Sequence, residues 1–234
     1  MRTKDVLPQL TLAASCGNPN VSGHLKTAFV MQQYLIDIEY AATATIYSIW
    51  HELEEINKLD KELQVLIRVA QDKYRRADNL QESEDIDDYM TGVGLMWDAY
   101  FTEDKEAFHK DKEIDLKRKT LLTHEFAIAS LSGSLLQMAK QGISIIHGGL
   151  ANCPNGRLIG TQALKQIIWQ GRNQAIHFEE GNFNPAVITC FDTLTKEINP
   201  KFNRFRTANL AFDIVELLSW KSFIDFKNDL SQLT

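Results

Sequence analysis

The chain has 234 residues, 44% of them hydrophobic, and a formal net charge of −6, an ordinary globular composition long enough for one large domain or two small ones. Its longest nearly uncharged apolar stretch, residues 126–139, is bounded by Glu125 and Lys140 and is too short to span a bilayer; Asp5, Pro8, Gln9 and Thr11 break up any secretory leader ahead of Cys16. The cysteines, Cys16, Cys153 and Cys190, are odd in number and far apart, which excludes a disulfide framework and a zinc-site spacing and fits a reducing cytoplasm.

Residues 1–23 hold Pro8, Gly17, Asn18, Pro19 and Gly23 with little periodicity and read as an arm that ends near a turn. Met31, Leu35, Ile38, Ala42, Ile46, Ile49, Leu53 and Ile56 then recur at steps of three and four, which predicts a long amphipathic helix. Its other side carries Tyr34, Tyr40, Tyr47 and Trp50, so this helix is expected to be covered on more than one side, by its own domain or by a second copy. Leu59, Leu63, Leu66, Ala70 and Tyr74 continue the period as a second helix or a bent extension, and Lys73, Arg75 and Arg76 suit its C-terminal end. Residues 78–88 place six acids and no base in eleven positions and predict a solvated loop. The segment 89–101, with Gly92 and Gly94, predicts a helical turn at most. Six acids and six bases in 103–119 are the pattern of an ion-paired helix or linker, the best place for a domain boundary.

Residues 121–147 predict the central helix, apolar nearly all round, buried on all sides and ended by Gly148 and Gly149. After turn residues at 151–156, a helix is expected from about Leu158 into the 170s. Asn184 and Pro185 read as the cap and first residue of the next helix, Asn199 and Pro200 as its end, and 209–230 as one or two helices closing the core. No segment shows sustained period-two alternation, so the expected class is all-α, a helical bundle. The expected division is an arm (1–23), an N-terminal helical region with an acidic loop (24–118) and a helical core (119–234), with a single domain over 24–234 as the alternative.

The stretch Gln170-Gly171-Arg172-Asn173-Gln174-Ala175-Ile176-His177-Phe178 concentrates the chemistry. A helix turns about 100° per residue, so Asn173 and His177 share a face, while Arg172 starts about 140° from His177, a gap that a long side chain or a bend at Gly171 closes. The trio offers a phosphate anchor, an amide orienter and a proton-transfer group, with no metal-ligand set of its own. From 126 to 178 there is no Asp or Glu, whereas Lys140, Arg157, Lys165 and Arg172 all fall inside. Local positive potential governs polyanion capture more than the global sum, so Arg157 and Lys165 are candidate nucleic-acid contacts beside the trio. The structural alternatives are a capping or core His177, and an Arg172 paired with Glu179 or Glu180. Glu106-x-x-His109 occurs once, and neither His51-Glu52 nor His124-Glu125 is followed by the second His that a zinc site needs, so no metal catalysis is expected.

The Arg-Asn-x-x-x-His string, following an apolar helix in an all-helical setting, resembles the HEPN superfamily of small helical domains, many of which are metal-independent endoribonucleases. Arg172, Asn173 and His177 match that motif one by one, and the resemblance covers roughly residues 119–230. It implies a HEPN-like bundle with an N-terminal helical extension, catalysis by Arg172, Asn173 and His177, no cofactor, and RNA as substrate. It further implies a homodimer whose motifs face each other, in a toxin or antiviral defence system with an antitoxin or other partner protein. A subgroup carries Tyr two residues after the His; Glu179 stands there in this chain, so regulation by tyrosine modification is not implied. Two functions stay open: the endoribonuclease, leaving a 2′,3′-cyclic phosphate, and a non-catalytic module of the same fold that binds RNA or nucleotide or scaffolds a partner.

Overall fold

A computed structural model describes residues 19–81, 87, 89–94 and 103–234. Helix α1 (Pro19–Gln81) runs for 63 residues, about 95 Å at 1.5 Å per residue, and α2 (Glu103–His147) packs antiparallel along it. Neither Gly nor Pro occurs from 24 to 81, so nothing stops the chain at Asn57-Lys58 and one continuous helix forms. It begins at Pro19, a residue whose missing N–H costs nothing in a first turn, so residues 19–23 are helical where an arm was expected. Residues 1–18 lie outside the described ones. The helix also continues past Arg76 to Gln81, so residues 78–81 form its end and not a loop; of the remaining acidic stretch only Asp87 is described. Residues 89–94 are helical. The charged stretch 103–119 is the first part of α2, which passes residues 118 and 119 without a break.

The predicted apolar spacing finds its partner here. Met31, Leu35, Ala42, Ile46 and Ile49 of α1 and Ile128, Leu135, Leu136, Ala139 and Ile143 of α2 are buried in one core. Polar bonds set the register: the Tyr34 hydroxyl donates to the Met138 carbonyl at 2.6 Å. Gly142 makes room for that ring, since a Cβ there would lie 2.8 Å from Tyr34 Cε1. The Trp50 indole donates to the Trp220 carbonyl at 2.9 Å and meets Phe212 edge-on.

The first long helix was expected to be covered on more than one side, by its own domain or by a second copy, and the central helix to be buried all round. Tyr34 and Trp50 are covered within the chain, but Leu25, Phe29, Ile36, Tyr40 and Tyr47 remain exposed along one outer stripe of α1, Tyr40 at 88%. Helix α2 is not buried all round either. Phe126 is 72% exposed, with Leu122 and Ile145 also in solvent, because the shorter helices cover only the part of α2 around residues 128–143.

After α2, Gly148 takes a left-handed φ of 69° and reverses the chain. Two-residue strands β1 (Leu158–Ile159) and β2 (Gln162–Ala163) pair antiparallel around Gly160, whose φ is 59°. The motif helix α3 therefore spans Leu164–His177 instead of starting near Leu158. Asn184 caps α4 (Pro185–Glu197) by accepting the Ala186 N–H at 2.9 Å. A 3-10 segment (Pro200–Arg206) leads to α5 (Ala211–Leu218) and α6 (Phe223–Ser231), the latter opened by a Ser222 and Asp225 capping box. Phe191, Phe202, Phe205, Trp220 and Phe226 are fully buried between these elements. The fold is an all-α bundle carrying one small hairpin among the described residues.

Candidate functional site

Leu164, Ile167, Ile168, Gly171, Gln174 and Ala175 form the buried side of α3. Gly171 lies inside α3, which runs as one helix from Leu164 to His177. Its bare Cα lets α5 approach, since a Cβ there would sit 3.1 Å from Ile214 Cγ2. Gln174, an unassigned position of the motif, is fully buried and fully bonded: its amide nitrogen donates to the Phe205 and Ala208 carbonyls at 2.8 and 2.7 Å, and its oxygen accepts the Leu210 N–H at 3.0 Å. The motif helix is thus pinned from beneath, and its outward side carries Lys165, Trp169, Arg172, Asn173, Ile176 and His177.

On that side the trio divides. Arg172 reaches sideways to α2, where its Nε donates to Gln137 Oε1 at 2.6 Å, and its Nη1 donates to Asn173 Oδ1 at 3.3 Å. Asn173 in turn donates to Gln170 Oε1 at 3.3 Å. His177, with 46% of its side chain exposed, sets Nδ1 2.8 Å from Glu180 Oε1. A carboxylate accepting from Nδ1 leaves the Nε2 lone pair free to take a proton. Among the described residues no hydrogen bond or ion pair joins His177 to Arg172 or Asn173. Glu180, one of two acids weighed as an alternative partner of Arg172, pairs with the imidazole instead.

Lys140 stands beside Arg172, with its ammonium 4.5 Å from the centroid of the Trp169 ring. Burial first, and then the neighbouring Arg172 charge, lower its pKa from the ordinary lysine value. The other two candidate cations are tied into the fold. Arg157 grips Asp229 with Nε and Nη2 at 2.7 and 2.8 Å and donates also to the Leu218 carbonyl, while the Trp220 indole donates to the same carboxylate at 2.8 Å. The Lys165 ammonium donates to the Cys153 carbonyl. Neither is drawn to Arg172 by a bond.

Cys153 and Cys190 are buried, and burial pushes their thiols up to about 11 and about 12, which removes them as nucleophiles at neutral pH. Among the described residues no group of three His, Cys, Asp or Glu side chains is placed to hold a metal ion, and no helix is long and apolar enough to cross a membrane. Sequence reasoning singled out the trio but missed Gln137, Lys140 and Trp169 as its neighbours, and weighed Glu180 only as a partner of Arg172. Only the acid-free window hinted at Lys140. The chain matches no protein-family model, no curated protein and no solved structure.

Proposed function

We propose that this chain is a metal-independent endoribonuclease of the HEPN type, acting in the cytoplasm within a toxin or antiviral defence system, with an antitoxin or related protein as partner. The observation that carries the reading is Arg172, held by amides and facing no carboxylate among the described residues, on the same outward side of a pinned helix as an exposed imidazole. The substrate's 2′-hydroxyl would attack the adjacent phosphorus as His177 Nε2 takes its proton, the bond to the 5′-oxygen breaks, and that oxygen is reprotonated. Arg172 neutralises charge on the phosphate oxygens, and Asn173 steadies the guanidinium. One separation favours a homodimer: within one chain Arg172 leans toward α2 while His177 leans toward Glu180, so a second copy would bring the complementary half of the site.

The test is cleavage of end-labelled RNA. The expected products carry a 2′,3′-cyclic phosphate, DNA of the same sequence stays intact, and EDTA has no effect. His177→Ala and Arg172→Ala should each lower the rate by at least about 10²-fold, the lower end for a lost proton-transfer group, with unchanged circular dichroism. Cleavage at wild-type rate by both folded variants, or loss of activity in EDTA, would sink the assignment. The same separation of Arg172 from His177 favours the second reading, a non-catalytic module using this face to bind RNA or nucleotide; RNA bound but never cut would select it.

A further inference from the structure

We propose that Lys140 and Arg172 form a two-cation clamp for a phosphate of single-stranded nucleic acid, built across the packing of α2 on α3. This rests on reading the outward side of α3 as a phosphate-binding face. Gln137 and Lys140 are three apart on α2, and Trp169 and Arg172 are three apart on α3, so each pair projects from one side of its helix. The antiparallel packing crosses them: Arg172 bonds Gln137 at 2.6 Å, and Lys140 lies over the Trp169 ring at 4.5 Å. Each cation is therefore positioned by a neutral partner on the opposite helix.

What is missing between them is an anion. Among the described residues no carboxylate lies within ion-pair distance of either cation, whereas Lys58, Lys117, Arg157 and Lys201 each meet one. Two like charges held together raise the energy of the empty site, and the lowered pKa of Lys140 reports that repulsion after burial. A phosphate oxygen relieves it by accepting from the compact ammonium and from the free Nη2 of the guanidinium together, a charge-assisted pair that neither residue provides alone. Such a contact reads the backbone and not the base, so the clamp should hold strands of any sequence alike.

The experiment uses the full chain and a short fluorescein-labelled single-stranded deoxy-oligonucleotide, which lacks the 2′-hydroxyl and stays intact while bound. Anisotropy across a salt series gives the slope of log K against log salt. Lys140→Gln should weaken binding to different sequences equally and reduce the slope by about 0.7, one phosphate contact on a single strand. Lys140→Arg should restore most of it. A slope unchanged in Lys140→Gln, or no binding by the wild type, overturns the clamp and leaves Lys140 as packing against Trp169. His177→Ala separates the two readings: if RNA is not cleaved by wild type or variant while binding still follows Lys140, the nuclease fails and the clamp stands.

Discussion

Arg157 shows how little a residue's charge says about its task. From the sequence it counts equally with Lys140 and Arg172 inside an acid-free window, yet its carboxylate partner arrives from Asp229, far along the chain in α6. Asp229 keeps only 7% of its side chain exposed and Arg157 keeps 37%. Arg157→Met therefore strands a nearly buried carboxylate with the Trp220 indole as its remaining side-chain donor. The expected cost is about 2 to 3 kcal/mol, less than for a fully buried pair because water reaches the Arg157 end. Urea unfolding measures it, and Arg157→Met combined with Asp229→Leu should recover only part of the loss, since the pair is then replaced by apolar groups but the buried Trp220 indole loses its acceptor. A large fall in RNA affinity with unchanged stability would return Arg157 to the binding face. No local pattern in the sequence distinguishes a surface arginine from this clasp, because the distinction is made by a partner outside any helical period.

At the scale of elements, the apolar spacing was sufficient wherever one face of a helix meets one core. Met31 to Ile49 by threes and fours, the Asn184 cap and the two closing helices all appear as read. What the spacing did not decide has physical causes. Residues 103–119 fit an exposed helix or a linker alike because no apolar stripe decides between them, and the helix is what forms; two-residue strands are too short to show alternation. Exposure of Phe126 depends on where α3 ends beside α2, which composition cannot supply. The motif face was legible from 100° geometry, but the packing role of Gly171, named only as one of two ways to close the gap between Arg172 and His177, was not. Gly171 is a contact point, so in Gly171→Ala the push against Ile214, about 1 to 3 kcal/mol as overpacking, opposes the roughly 0.5 to 1 kcal/mol that alanine gains over glycine inside a helix, and a net loss is expected. Pairing it with Ile214→Val, which trims the opposing side chain, should return part of the loss in thermal unfolding. Stability above that of the wild type in Gly171→Ala alone would mean that Ile214 gives way and the helix preference of alanine decides the outcome.

For the whole molecule, the decisive issue is whether one chain or two make a site. The outer stripe of α1 and the motif face of α3 are presented by different helices, and α2 packs against both. A composite site requires copies that meet at the motif face, beside the exposed Ile176 of α3. Complementation tests this directly. Arg172→Ala and His177→Ala chains, each inactive alone, are mixed under conditions that exchange subunits. In a two-fold dimer whose site takes Arg172 from one copy and His177 from the other, each mixed dimer holds one intact site and one doubly defective site, and random pairing restores roughly a quarter of wild-type activity. A site confined to one chain restores none, whatever the oligomeric state. Light scattering on the same samples supplies the control: a wild type that cleaves RNA as a strict monomer at micromolar concentration rejects the composite site, and Arg172 must then swing from Gln137 to reach the phosphate beside its own His177.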